Sequence, residues 1–379
     1  MKQQAIPATF MRGGTSRGLM LLESDLPRDI AAQDRILLAG MGSPDPNGRQ
    51  LDGMGGGLSS LSKACIVGPS AAPDADVEFT FCQIGVQEPR VDRLGNCGNM
   101  SAAVGPFAVD MGLVRTDGGE ATVRIRNLNT GKLIHAHFPV GRGFTRYDGD
   151  LAIPGVSGTG APIRLQFIEP GGASTGRLLP TGAPLDKIGG LSVSMVDAAN
   201  ACLFVLAGDV GLQGNEMPDA IERDAALMDR LAGLRATASA RMGIAADEGA
   251  ARALETIPYL GIVSPPQRAR SLSGDEIAST DADLTLRFLA GGRVHRAVPL
   301  TTALCTAVAA RIEGSLPHQV MRDSVIDRPL RLSTPSGVIV ADARVERIEG
   351  EWHVSSGTFL RTARPLFQGS LLVPDQIIA

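Results

Sequence analysis

The chain has 379 residues, 44% hydrophobic and 20% charged, with a formal net charge of −4, a balance that excludes a disordered protein. Acids and bases are interspersed and aromatics reach only 4%, so neither the basic patch nor the stacking platforms of a nucleic-acid binder are present. No apolar run approaches the roughly 20 residues that span a bilayer, and a membrane role is not expected.

Met1-Lys2-Gln3-Gln4 is read as leading directly into a strand, without a signal-peptide core. Strands are predicted over 5–12 and 17–23, on either side of the polar turn Arg12-Gly-Gly-Thr-Ser-Arg-Gly18. A helix over about 28–40 follows, then the glycine-rich stretch Asp52–Gly57 and strands at 62–68 and 77–84. Residues 98–113 read as a helix apolar on every side, which only a buried helix tolerates. Strands at 121–127 and 132–139 complete the first half. Val, Ile, Phe and Thr enrichment between Gly, Pro, Asn and Asp supports these strands.

The second half repeats the pattern. Residues 11–25 lie over 195–209 at an offset of 184, and Cys97–Val104 lies over Thr301–Val308 at 204. The turn Asn129-Thr-Gly131 matches Pro335-Ser-Gly337 at an offset of 206. Strands are predicted at 191–196, 202–207, 258–263, 283–289, 330–334, 337–348 and 351–359, with helices at 217–240 and 301–313. Two copies make two similar lobes rather than a solenoid. The Gly/Pro-rich run from Pro170 suggests a boundary, giving lobes 1–185 and 186–379, with a last strand that can return to the first lobe.

Five cysteines, Cys65, Cys82, Cys97, Cys202 and Cys305, are odd in number and contain no Cys-x-x-Cys pair. They point to reduced thiols in a cytoplasm rather than to disulfides or zinc. Of the 36 basic residues only four are lysines, Lys2, Lys63, Lys132 and Lys187. Lys63 alone sits in a hydrophobic stretch, and a buried lysine can serve as a base where arginine cannot.

Each candidate motif carries two readings. Cys97 is either a small core residue or a thiol at a helix start, where the positive dipole end favours the thiolate. In the second case the N–H groups of Gly98, Asn99 and Met100 are free to receive an anion. Lys63, behind the glycines, is either a strand-end lysine or a buried base; the Gly-Lys-Ser/Thr junction of a phosphate loop is missing. Ser16 and Arg17 either cap a hairpin turn or bind a carboxylate. His135 and His137 alternate on one strand without a third ligand in sight and read as a strand face, so no metal is expected. No Gly-x-Ser-x-Gly elbow supports a serine hydrolase.

Taken as an ordered set, Met11–Gly18, Gly42-Ser-Pro-Asp-Pro46, Asp52-Gly-Met-Gly-Gly56, Ser62-Lys63 and Gly95-Asn-Cys-Gly-Asn99 followed by Ala103–Ala108 resemble the PrpF-like family. That family contains 2-methylaconitate cis-trans isomerase, methylitaconate Δ-isomerase and 4-oxalomesaconate tautomerase. The resemblance implies an α+β, diaminopimelate epimerase-like fold: two pseudo-symmetric lobes, each a barrel-like sheet around a buried central helix, with the site in the cleft between them. Epimerases of this superfamily use two opposed cysteines, whereas the second position here reads Thr301. A racemase using Cys97 and Cys305 is disfavoured, because the repeat sets Cys305 opposite Ser101, one turn down the helix.

The resemblance instead implies Lys63 paired with Cys97. Lys63 would act as the base, in a neutral form that burial or cationic neighbours favour, with Cys97 as partner acid or positioning group. Ser16 and Arg17 would hold a substrate carboxylate. Donors at Gly98, Asn99 and Met100, with those at Thr301 and Thr302, would hold the developing negative charge. The expected reaction moves a proton on an unsaturated di- or tricarboxylic acid of the aconitate type, without a cofactor, in a homodimer. Two alternatives stand beside it: a 4-oxalomesaconate tautomerase, and a non-catalytic accessory protein that binds a metabolite or partner.

Overall fold

The computed structural model describes residues 3–93, 97–254, 257–322 and 328–378. The chain forms two compact units, one of Met1–Leu165 with Leu360–Ala379 and the other of Gln166–Phe359.

In the first unit, β1 (Gln3–Gly13) and β2 (Ser16–Leu22) form a hairpin. Helix α1 (Ile30–Met41) starts on Asp29, whose carboxylate accepts from Ala32 N, and stops at left-handed Gly42. It carries the chain over to β3 (Lys63–Pro69), parallel to β2, and β4 (Val77–Ile84) runs back antiparallel. Helix α2 (Gly98–Asp110) then crosses to β5 (Glu120–Asn127), parallel to β4, and β6 (Leu133–Gly141) closes a second hairpin. Gly98–Val109 are all buried, as a helix without a polar face requires. Helix α2 packs against β1 to β6.

The second unit repeats this order. Strands β7 (Leu191–Ala198) and β8 (Asn200–Leu206) form a hairpin, and α3 (Ala225–Arg241) lies in the crossover to β9 (Tyr259–Ser264), parallel to β8. Strand β10 (Leu284–Ala290) is antiparallel to β9, and buried α4 (Leu300–Ala309) leads to β11 (Leu330–Thr334), parallel to β10. Strand β12 (Gly337–Ile348) pairs antiparallel with β11, and β13 (Glu351–Arg361) with β12. The sequence of parallel and antiparallel neighbours from β7 to β12 is that from β1 to β6. The closing strand β14 (Ala363–Pro374) then runs antiparallel along β1, within the first unit.

One side-chain device occurs in both units. Before β4, Asp76 N donates to Arg124 O, while Arg124 N and Nη2 donate to the two Asp76 carboxylate oxygens. Before β10, Asp283 and Arg331 make the same three bonds. The partners stand 48 residues apart in each case, and each pair ties the start of one strand to its parallel neighbour.

Two expectations differ from the structure. The run after Pro170 is folded into the second unit rather than lying between units: Gly172 N donates to Asp197 O, and the N–H groups of Ser174 and Thr175 donate to Asp197 Oδ2. The helix expected over 217–240 is two helices, Pro218–Glu222 and α3, because Asp224 turns its carboxylate onto Leu227 N and caps a new start.

Candidate active site

Strand alternation decides which side chains meet. Ser16, Gly18 and Met20 share one face of β2; Gly18 lies opposite Lys63 and Met20 opposite Cys65. On β4, Gln83 lies opposite Lys63 and Phe81 opposite Cys65. The other face holds Leu19, Leu21, Ala64, Ile66, Cys82 and Ile84 against Ile36, Leu37 and Met41 of α1. Lys63, Gln83 and Ser16 are therefore on the side covered by α2, at the end where that helix begins.

Cys97 stands at the N-cap of α2, half-buried, and its side chain makes no capping bond. Its Sγ lies 4.0 Å from Ser16 Oγ, while its carbonyl accepts from Ser101 N. Gly98, Asn99 and Met100 precede that first helical bond, so their N–H groups are the helix-start donors. Gly95 and Asn96 of the same motif lie outside the described residues. The Asn99 side chain, 8% exposed, braces the β1–β2 turn against the helix. Its Nδ2 donates to Thr15 Oγ1, and its Oδ1 accepts from Thr15 N and from Arg361 Nε. Gly14, at φ +51°, lies so close that a Cβ there would collide with Asn99 Oδ1. Arg361, 6% exposed, is itself held down to a pKa of about 10 by burial.

Lys63 is 7% exposed and is enclosed from several sides. A Cβ at Gly18 would collide with its carbonyl oxygen. Its Nζ donates to Gln83 Oε1 and lies 5.0 Å from the centroid of the Phe81 ring. Ahead of it, Ser62 Oγ accepts from Gln50 Nε2, which also donates to Ser43 Oγ, and Gln50 Oε1 accepts from Gly57 N. Gln50 thus ties the glycine-rich loop to the start of β3. The glycines matter here because a Cβ at Gly55 would strike the Gln50 side chain. Cys65, one step along the Lys63 face, has its thiol pushed well up by burial and then by the nearby Cys97.

Arg17 is not brought to Ser16. Alternation turns it to the α1 face, where its guanidinium stacks 5.6 Å from the Phe10 ring centroid and a Cβ at Gly56 would come within 2.8 Å of Nη2. Thr301 and Thr302 belong to the second unit. Both are buried in the first turn of α4; Thr301 Oγ1 accepts from Asn200 Nδ2 at 2.6 Å and Thr302 Oγ1 donates to Pro299 O. Cys305 is buried one turn further on, its thiol directed at Val196 O. His135 and His137 lie on β6, where His137 Nδ1 bonds Thr122 Oγ1. Among the described residues no group of three His, Cys, Asp or Glu side chains is placed to hold a metal ion. Among those residues, too, no helix is long and apolar enough to cross a membrane. Gln83, Gln50 and Arg361 were not foreseen: strand register brings in Gln83, the path of the glycine-rich loop brings in Gln50, and Arg361 comes from the end of β13.

The family of the PrpF protein matches residues 3–374, nearly the whole chain. The chain belongs to the PrpF family. Among curated PrpF relatives, the 3-methylitaconate isomerase of Eubacterium barkeri is 40% identical, over 98% of both chains. The 2-methyl-aconitate isomerase of Cupriavidus necator is 36% identical, again over 98% of both. The 4-oxalomesaconate tautomerase of Pseudomonas putida is also 36% identical, covering 98% of this chain and 97% of its own. A crystal structure of methylitaconate-delta-isomerase superposes with a TM-score of 0.86 at 39% identity, covering 100% of this chain and 98% of that one. A hydroxyproline epimerase from Agrobacterium vitis, 12% identical, shares the fold at a TM-score of 0.55 over 98% of this chain and 92% of its own. The α+β fold is thus shared with that hydroxyproline epimerase and with a probable proline racemase from Agrobacterium radiobacter, and this PrpF-family chain is an isomerase-type enzyme.

Proposed function

We propose that the protein moves a proton on an unsaturated di- or tricarboxylic acid of the aconitate or methylaconitate type, with Lys63 as the base. The observation that carries this reading is the placement of Lys63 and Ser16 on the α2 side of the sheet, at the helix start where Cys97 stands. Lys63, as the neutral amine, takes a proton from carbon next to the conjugated carboxylate. The electron pair left behind spreads into the carboxylate and double bond as a dienolate. The proton then returns to another carbon, from the Lys63 ammonium or from the Cys97 thiol, and the double bond shifts or changes geometry. The helix-start N–H groups of Gly98, Asn99 and Met100 steady the charge, and Ser16 orients a carboxylate. Preorganised donors of this kind contribute about 3–4 kcal/mol each to a transition state. Thr301 and Thr302 supply further donors in this reading.

The same proton chemistry serves a keto–enol tautomerase, and the 36% identity to a 4-oxalomesaconate tautomerase keeps that substrate in the test. Each unit is further read as a sheet wrapped about its central helix, which the packing of α2 against β1 to β6 and β14 supports. Five free cysteines suit a reducing cytoplasm. A homodimer is the expected assembly, and light scattering reads it directly.

The deciding experiment is proton NMR in deuterated water with cis- and trans-aconitate, 2-methylaconitate and 4-oxalomesaconate. Isomerisation or deuterium uptake with one of them, lost in Lys63→Ala, is the expected result. Full activity in folded Lys63→Ala would remove Lys63 as the base. Silence with every acid from folded wild-type protein would favour a binding role.

A further inference from the structure

We propose that Gln83 is a positioning residue that aims the Lys63 amine and keeps it able to cycle between its charged and neutral forms. The inference deepens the reading of Lys63 as base and rests on it. A glutamine amide has two N–H donors and one carbonyl acceptor. In Gln83 the Nε2 group donates to two backbone carbonyls, Ser59 O and Ser62 O, each at 3.0 Å. Rotating the amide by half a turn would set its oxygen against those two carbonyl oxygens. The orientation is therefore fixed, and Oε1 must face Lys63 Nζ, from which it accepts.

The consequence is geometric. One N–H of Lys63 is directed at Gln83, and the Phe81 ring occupies a second side of the amine. Both contacts restrict the directions open to the lone pair of the neutral amine. The consequence is also electrostatic. An amide oxygen accepts from both ammonium and amine and, although it favours the ammonium, carries no net charge, whereas a carboxylate at that position would form an ion pair with the ammonium and hold the proton on far more strongly.

Among the described residues, the titratable groups on the neighbouring elements include Cys65 on the same face of β3, Cys97 at the start of α2, which interacts with Cys65, and Asp92, which lies opposite Gln83 across the strand pairing. Gln83→Glu changes one charge against that background while keeping the side chain's shape.

The test uses the full chain and reads both activity and the lysine itself. Only four lysines are present, so Nζ-edge NMR of lysine-labelled protein resolves Lys63 by comparison with Lys63→Ala. In Gln83→Glu the Lys63 titration midpoint should rise by about one pH unit or more, and the acidic, ascending limb of kcat should move to higher pH with it. In Gln83→Met, which removes the acceptor at similar volume, kcat should fall about 10- to 100-fold with KM within about threefold. An unmoved Lys63 midpoint in folded Gln83→Glu would overturn the proposal whatever the activity does. A moved midpoint with full activity in Lys63→Ala would uphold the coupling and instead remove Lys63 as the base.

Discussion

At the same point of the same strand order, the two units carry different chemistry. In the first unit the residue opening β2 is Ser16, the residue opening β3 is Lys63, and the helix start presents Cys97. In the second unit the residues opening the matching strands are Asn200 and Tyr259, and the sequence-repeat partner of Cys97, Thr301, lies in the first turn of α4, whose N-cap is Pro299. The Ser16–Cys97 approach has its counterpart in the Asn200–Thr301 hydrogen bond. The first unit thus carries a hydroxyl, an amine and a thiol where the second carries an amide, a phenol and a hydroxyl. The second set can donate and accept hydrogen bonds, but it contains neither an amine nor a thiol. The strand order thus occurs twice, and the amine and thiol of the proposed proton chemistry occur at these positions in the first unit.

Removing the base strikes hardest at this difference between the units. Lys63→Ala should lower kcat by at least about a thousandfold, as loss of a general base does, whereas Tyr259→Phe should stay within about tenfold of wild type. Comparable losses in both, measured by steady-state kinetics on folded protein, would show that the chemistry is shared. The helix starts give the next contrast. Cys97→Ser should cost about a hundredfold in kcat, while Thr301→Ser, which keeps the hydroxyl bonded to Asn200, should cost less than about fivefold. Equal effects would place the two helix starts on one footing.

The brace between hairpin and helix belongs to the first unit and ranks below the catalytic groups. Gly14→Ala forces a Cβ into the left-handed region and against Asn99 Oδ1. Strain and the lost Thr15 and Arg361 bonds should together cost about 2–3 kcal/mol. Urea unfolding reads the stability, and kcat should fall with it because Ser16 and Cys97 are held by the same turn. A stable Gly14→Ala variant would mean that the turn does not depend on Asn99.

Much of this scaffold was legible in the residues. The strands around Lys63 and the helix behind Cys97 were readable because short apolar runs between turn residues, and a helix without a polar face, are local patterns. The repeat was visible for the same reason. Gln83 and Gln50 were not, since their partners are set by strand register and loop path rather than by neighbours in sequence. Arg17 was paired with Ser16 because they are adjacent, yet adjacency on a strand puts two side chains on opposite faces. A last strand returning to the first lobe was expected as an option, but the span of β14 was not marked, because Pro365 and exposed Leu366 and Phe367 spoil its alternation. The two Asp–Arg pairs escaped notice because partners 48 residues apart leave no local trace.

Those pairs turn the contrast between the units around, because here the second unit has the stronger device. Asp76 is partly exposed and faces one guanidinium. Asp283 is fully buried and accepts from both Arg328 and Arg331. Burial pushes the Asp283 carboxyl up, but the bonds from the two arginines outweigh it and hold it at about 2. Asp76 is lowered by the same opposing causes, with Arg124 as its partner. A carboxylate whose folded value lies below the usual figure of about 3.9 stabilises the fold above that figure. The contribution is lost as pH falls toward the folded value, so for Asp283 the window runs from about pH 4 down to about 2. Asp283→Asn keeps one acceptor oxygen and should cost about 1–2 kcal/mol at pH 7, the arginines being partly exposed. Asp76→Asn should cost less, about 0.5–1 kcal/mol. Chemical unfolding at pH 7 and pH 3 separates them. The gap between wild type and Asp283→Asn should narrow at the lower pH, and a gap that does not change would mean the Asp283 charge contributes nothing to stability.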